Sequence, residues 1–268
     1  MNIEKTVYWN FPPTTNRHGV AHSKHDTKDI VMVSTNIIDE PLIAMSDIHS
    51  HTPELVPMLN EYVDLSKFVV VTVGDMAGNY IFGADGDPCE EYKYLKERAF
   101  EFYYVQGNHD LPLKNNVDGS IDCKIINTKS NMSIGGVNGI ISNKPHAYKI
   151  PFGIYLSNMK KVLQKKPYIF VTHDTPSIPM HYPDGSRYIG QNIIYETVDK
   201  YKPKIHIYGH CHHPTMINLI NNVYYINVDG KVVIFVPEKF SEEDKQKLFK
   251  KDLCNLKSKK LDDMLNIK

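Results

Sequence analysis

Short runs of apolar, mostly β-branched residues recur along the chain, each stopping at a glycine or a polar turn and then at an acid, an amide or an imidazole. The runs at 30–33, 42–45, 68–73, 102–105, 168–171 and 205–208 read as strands, and 68–73 is the continuous β-branched run of a strand covered on both faces. Between them, apolar residues return at helical spacing. Thr52-Pro53-Glu54 predicts a helix start, with Thr52 as N-cap and Leu55, Met58, Leu59 and Tyr62 as its buried stripe. Further helices are expected over 89–100, 152–165 (with Ile154, Met159 and Val162 among its apolar positions) and 192–201. The stretches 123–126 and 132–136 predict short strands of a second sheet, and 223–227 with 231–236 predict a hairpin turning at Asp229-Gly230.

The two ends read differently. Residues 1–28 hold Pro12-Pro13, Trp9, His18, His22 and His25 without clear periodicity, which predicts an irregular arm pinned by Trp9 and Phe11. Residues 239–268 are lysine-rich, with Leu248, Leu253, Leu256, Leu261 and Leu265 on one side, which predicts a packed helical extension to a domain spanning 29–238. Inside that domain, 76–88 is a glycine- and acid-rich loop. The polar stretch 175–190 is long enough to be functional and carries Arg187, a guanidinium suited to clamping a substrate phosphate.

Composition narrows the function classes. With 268 residues, 41% hydrophobic, the chain can bury a large core. The 31 basic and 31 acidic residues cancel, so nothing global attracts nucleic acid or anionic membrane. A nucleic acid or acidic protein partner at the C-terminal lysines is conceivable but not expected. The cysteines (Cys89, Cys123, Cys211, Cys254) lack paired spacing, the first thirty residues hold no apolar core of a signal peptide, and no apolar run nears the roughly 20 residues a bilayer requires. A cytoplasmic, reduced protein without a membrane segment is expected.

The chemistry gathers at strand ends. Asp47 with His49, Asp75, Asn108 with His109, His173, and His210 with His212 each follow an expected strand, the edge where ligands bind in open α/β sheets. Along extended backbone i and i+2 point the same way, so Asp47 and His49, and likewise His210 and His212, can share a site. Mixed carboxylate and imidazole donors suit Mn²⁺, Fe²⁺ or Zn²⁺ rather than Mg²⁺ or Ca²⁺, and the supply suffices for two ions.

These blocks, Asp47-Ile48-His49, Gly74-Asp75, Gly107-Asn108-His109-Asp110, His173 and Gly209-His210-Cys211-His212, resemble in order those of the calcineurin-like metallophosphoesterase family, over about residues 42–213. The resemblance implies an α/β fold of two stacked mixed β-sheets flanked by helices. It implies two divalent ions, Mn²⁺ with Fe or Zn as alternatives, one held by Asp47, His49 and His212, the other by Asn108, His173 and His210, with Asp75 bridging. Two ions roughly 3.5–4 Å apart activate a bridging water for in-line attack on a phosphoester. The resemblance also implies that His109 faces the leaving oxygen as general acid or charge stabiliser, with Asp110 orienting it. Gly74-Asp75 is followed by Met76-Ala77-Gly78-Asn79, without the arginine usual in the family's phosphoprotein phosphatases, and Ser50 stands where glycine is common. The expected substrate is therefore a small phosphomonoester or phosphodiester such as a nucleotide. A protein Ser/Thr phosphatase and a non-catalytic binding module are the alternatives. Cys211 is expected to pack, and His51 to lie on the surface at the helix entry.

Overall fold

The structure, a computed structural model, describes residues 1–11, 15–16, 26–77, 81–82, 84–179 and 190–253. Two mixed six-stranded sheets stack face to face. The first runs β1 (Asn2–Phe11), β3 (Asp26–Thr35), β16 (Lys231–Pro237), β4 (Leu42–Ser46), β5 (Val69–Val73), β7 (Glu101–Val105). The second runs β14 (Ile217–Ile220), β15 (Val223–Asn227), β13 (Ile205–Tyr208), β12 (Ile169–Thr172), β9 (Ser133–Val137), β8 (Ile125–Asn127). Two small parallel pairs complete the strands: β2 (Thr15–Asn16) with β6 (Ile81–Phe82), and β10 (Ile140–Ile141) with β11 (Lys149–Ile150).

The continuous apolar runs are explained by a core on each side of each sheet. Ala44, Val71 and Val73 face inward and meet Ile169, Val171, Ile205 and Ile207 of the second sheet. The residues between them face outward: Ile43, Met45 and Val70 meet helices α1 (Thr52–Tyr62) and α2 (Cys89–Arg98) through Leu55, Leu59, Tyr92 and Leu95. On the far side Phe170, Tyr208 and Tyr225 are covered by α3 (Phe152–Leu163) and α4 (Asn192–Tyr201) through Tyr155, Met159, Ile194 and Val198. The strand period of two thus sorts one run into two cores. In α3 Ile154 stays exposed, and Tyr155 takes the buried place.

The structure corrects three expectations. Residues 2–11 of the arm are not irregular: β1 pairs antiparallel with β3 from Asn2↔Ser34 to Phe11↔Asp26. Its signal was the alternation of Ile3, Val7, Trp9 and Phe11, which a bulge between Ile3 and Lys5 interrupts. His18, His22 and His25 lie outside the described residues. Second, β15 and β16 are not a hairpin. The hairpin is β14–β15, turning at Asn221-Asn222 with φ of 50° and 67°, the conformation a two-residue type I′ turn requires. Residues 228–230 instead cross from the second sheet to the first. Third, the extension is barely helical where it is described. Helix α5 (Glu242–Gln246) starts from Ser241, whose Oγ accepts the Asp244 N–H at 3.1 Å, and Leu248 and Leu253 then bury against the α1 side. Ion pairs tie the extension to the domain: Lys5 of β1 meets Asp252 at 2.8 Å, and Lys251 meets Glu61 of α1 at 3.3 Å. The remaining expected leucines lie outside the described residues.

Candidate metal centre

The ends of β4, β5, β7, β12 and β13 converge, and β4, β5 and β13 turn sharply as they end. Asp47, His49, Asp75 and His210 all have left-handed backbone, with φ of 56°, 51°, 52° and 68°. That conformation costs a non-glycine residue roughly 1–2 kcal/mol, and it persists here because backbone bonds over-determine it. Asp47 N–H donates to the Gly74 carbonyl (3.1 Å) and His49 N–H to the Asp75 carbonyl (3.0 Å). Glycine allows the strand ends to meet. A Cβ on Gly74 would lie 2.5 Å from Gly107 N and 2.6 Å from His173 Nδ1, and one on Gly209 would lie 2.5 Å from Asp47 Oδ2.

Two groups of donors result, and both contain Asp75. The possible ligand atoms of Asp47, His49 and Asp75 lie within 4.8 Å of one another, as do those of Asp75, His173 and His210. His49 Nε2 is 4.0 Å from Asp47 Oδ1 and from Asp75 Oδ2, and His173 Nε2 is 3.3 Å from Asp75 Oδ2. His173 Nδ1–H donates to the Val73 carbonyl at 2.8 Å, which aims Nε2 at Asp75 and at Asn108 Oδ1, 3.1 Å away. Asp47 is held by the Ser46 hydroxyl (2.6 Å) and the His210 N–H (2.9 Å), and buried Lys28 donates to its carbonyl at 3.0 Å. So many buried carboxylates and imidazoles of borderline softness fit a divalent cation.

Electrostatics agree. Burial, with Asp229 and Asp75 nearby, pushes the Asp47 carboxyl up to about 7. Burial alone would lower His173, but Asp75 and Asp47 outweigh it and hold the imidazolium up to about 10. Burial would raise Asp75, yet His173 holds it well below the usual carboxylate range. His49 and His210 are pushed by burial down to about 4 and are neutral, the form that ligates metal.

Two expected residues stand elsewhere. His212 is 71% exposed and its Nδ1 faces Asp229 Oδ2 at 3.7 Å, outside both groups. The i, i+2 rule assumes extended backbone, which neither turn keeps: Asp47, with a left-handed φ like that of His210, still shares a group with His49, whereas His212 turns to Asp229. Asp110 does not touch the His109 ring. Its oxygens accept three backbone N–H groups: Gly107 (2.8 Å) and Asp75 (2.9 Å) on Oδ2, Met76 (3.1 Å) on Oδ1. The group on the His109 imidazole is Asp85, 3.1 Å from Nδ1, which also meets His146 Nε2 at 3.0 Å. Neither stood out in sequence, since a loop acid and a lone histidine carry no spacing. His109 itself sits beside His49, ring centroids 5.6 Å apart, its N–H donating to Asp75 Oδ1 at 2.8 Å. His51, expected on the surface, is buried. Cys211 packs, its N–H on the Thr175 hydroxyl at 3.0 Å. Arg187 lies outside the described residues.

Fold and site together define an α/β sandwich with a candidate metal centre at its strand ends. The chain belongs to the calcineurin-like phosphoesterase family, whose profile matches residues 40–214. Among solved structures it is similar to TT1561 of Thermus thermophilus, at 15% identity over 71% of this chain and 89% of that one, TM-score 0.52. It is also similar to zinc-complexed Vps29 of Entamoeba histolytica, at 14% identity over 70% of this chain and 73% of that one, TM-score 0.36. The likeness to TT1561 bears on the fold alone. Among curated proteins none matches the chain.

Proposed function

We propose that the protein is a two-metal phosphoesterase that hydrolyses a phosphomonoester or phosphodiester of a small substrate such as a nucleotide. The observation that carries this is the sharing of Asp75 between two buried ligand groups. Asp47, His49 and His212 would hold one divalent ion and Asn108, His173 and His210 the other, with Asp75 common to both. Mn²⁺ is the favoured metal, with Fe or Zn as alternatives. His212 joins on a side-chain rotation away from Asp229. When bound, the ions supply positive charge for the phosphoryl oxygens and activate water as nucleophile.

The chain's own residues do the rest. His109 gives the leaving oxygen its proton from Nε2, next to the ligand His49. Asp110 keeps the amides of Asp75, Met76 and Gly107 fixed, so that the two acid-bearing turns arrive preorganised. Arg187 clamps the substrate phosphate. No helix among the described residues is long and apolar enough to cross a membrane. The free thiols of Cys89, Cys123 and Cys211 suit a cytoplasmic setting.

The test is hydrolysis of bis-p-nitrophenyl phosphate beside p-nitrophenyl phosphate by metal-stripped protein resupplied with Mn²⁺. Metal-dependent turnover that Asp75→Asn abolishes, and that His109→Ala lowers with metal still bound, is the expected result. Full activity in both variants would mean that the site is wrongly placed. The preferred compound ranks diester against monoester chemistry.

A further inference from the structure

We propose that Asp85 is a positioning residue that holds the His109 imidazole in a single tautomer, and that His146 holds Asp85 in turn. The proton donor of the site is then set by a loop acid and a second histidine, not by the acid that follows it in sequence. This rests on the phosphoesterase reading above.

The Asp85 carboxylate uses both oxygens on rings: Oδ1 accepts His109 Nδ1–H at 3.1 Å, and Oδ2 lies 3.0 Å from His146 Nε2 as an ion-pair contact. Asp110 is unable to take this role, because three backbone N–H groups occupy its oxygens. Backbone bonds on both sides of His109 fix where Asp85 stands. Gly86 N–H donates to the His109 carbonyl at 2.9 Å, and Leu111 N–H donates to the Gly86 carbonyl at 2.6 Å. The next acid, Asp87, ties the same loop to the start of α2 and to Lys114, accepting Cys89 N–H at 3.0 Å and Lys114 N–H at 3.1 Å.

His146 reaches Asp85 from the other side, on the segment between β10 and β11. Tyr148 fastens that segment by donating its hydroxyl to Gln106 Oε1 at 2.7 Å, one residue from the Gly107-Asn108-His109 turn. Among the described residues His146 Nδ1 is buried without a hydrogen-bond partner. With Nδ1 unbonded there, the ring turns its other nitrogen, Nε2, to the Asp85 carboxylate. The Asp85 side chain is 42% exposed, and by itself would exchange His109 for water; the second imidazole removes that freedom.

The chemical consequence is specific. With Nδ1–H tied to a carboxylate, His109 has only Nε2 to offer the departing oxygen, and the carboxylate stabilises the imidazolium before it gives up that proton. The benefit grows with the need for the proton, so it is large for a poor leaving group and small for p-nitrophenolate.

The experiment compares Mn²⁺-loaded wild type, Asp85→Ala, Asp85→Glu and His146→Gln on aryl phosphates of graded leaving-group acidity, from p-nitrophenyl to phenyl, with metal content measured in each. Asp85→Ala should lower kcat on the phenyl ester by about 10- to 100-fold, a part of the general-acid effect, and on the p-nitrophenyl ester by under about 3-fold, with KM little changed. His146→Gln should shift in the same sense by less, and Asp85→Glu should recover part of the loss. An equal loss on every ester, or none, overturns the proposal. Side-chain ¹⁵N NMR decides it apart from activity: wild type should show His109 protonated on Nδ1 and His146 on Nε2, and Asp85→Ala should release His109 to a mixture. A wild-type His109 protonated only on Nε2 overturns the clamp. A wild type that cleaves none of the esters yet shows the expected tautomers overturns the phosphoesterase reading alone.

Discussion

The Asp110 carboxylate accepts the Asp75 backbone N–H at 2.9 Å, so the acid closing one block of the chain fixes the backbone of the acid shared by both ligand groups. Every donor it serves is a main-chain N–H. Asp110→Asn keeps the shape but turns an amide NH₂ towards donors. It should destabilise the fold by about 1–3 kcal/mol in urea unfolding and weaken metal binding. A stability within about 0.3 kcal/mol of wild type would show that these contacts contribute nothing.

Metal uptake should release protons. In the metal-free protein His173 keeps its proton up to about 10 and Asp47 titrates near 7, while a bound ion needs both deprotonated. Both affinities for the proton are raised, so release is greater at lower pH. Calorimetric titration with Mn²⁺ in buffers of different ionisation enthalpy should report between about one and two protons at neutral pH, falling towards about one as pH rises through 8.5. Release of none at neutral pH would contradict the proposed ligand set.

Gly74 tests the packing of the strand ends. Its φ of 97° and the neighbours 2.5 and 2.6 Å from an added Cβ leave alanine no place without moving Gly107 or His173. Gly74→Ala should cost more than about 2 kcal/mol and abolish stoichiometric metal binding, read by unfolding and by metal analysis. An alanine variant that unfolds like wild type would mean that the two turns are not in contact.

A core histidine should make the fold acid-sensitive. His206 is buried in the second sheet beside Phe170, Tyr208 and Tyr225, and burial pushes it down to about 3. The Thr172 hydroxyl gives its one proton to the Asp174 carbonyl (2.8 Å), so it accepts from His206 Nε2–H at 2.8 Å, and the ring is neutral. The unfolded chain binds this proton from about 6.5 downward and the folded chain does not. Stability from this group is therefore complete above pH 6.5 and lost as pH falls towards 3, with a limiting slope of about 1.4 kcal/mol per pH unit. His206→Phe should flatten stability against pH over that window, measured by urea unfolding at pH 7 and pH 5. An unchanged slope would show that His206 does not contribute it.

The sandwich was legible because continuous runs such as Val69–Val73 and Ile205–Tyr208 are what double burial demands, and the glycines and acids behind them mark where the strands stop. Asp47, His49, Asp75, Asn108, His173 and His210 could be grouped from their places at those ends. His212 was grouped with them by the same i, i+2 argument, but its ring stands apart and faces Asp229, because the argument holds only for extended backbone and these turns are left-handed. Asp85 and His146 were hidden for a different reason: they meet His109 through loops whose course is set by backbone hydrogen bonds. β1 was missed where a bulge broke its alternation, and β15 with β16 were misjoined because Asp229-Gly230 looks more like a turn than Asn221-Asn222 does.

β16 has its own consequence for how the molecule comes into being. It lies between β3 and β4, and the β1–β3 pair reaches the rest of the first sheet only through it. A nascent chain emerging from the ribosome can dock β4, β5 and β7 early, but its opening ribbon has nowhere to attach until residues 231–237 leave the exit tunnel. Translation through residue 237 therefore precedes completion of this sheet, and β1 and β3, made before β4, are secured after it.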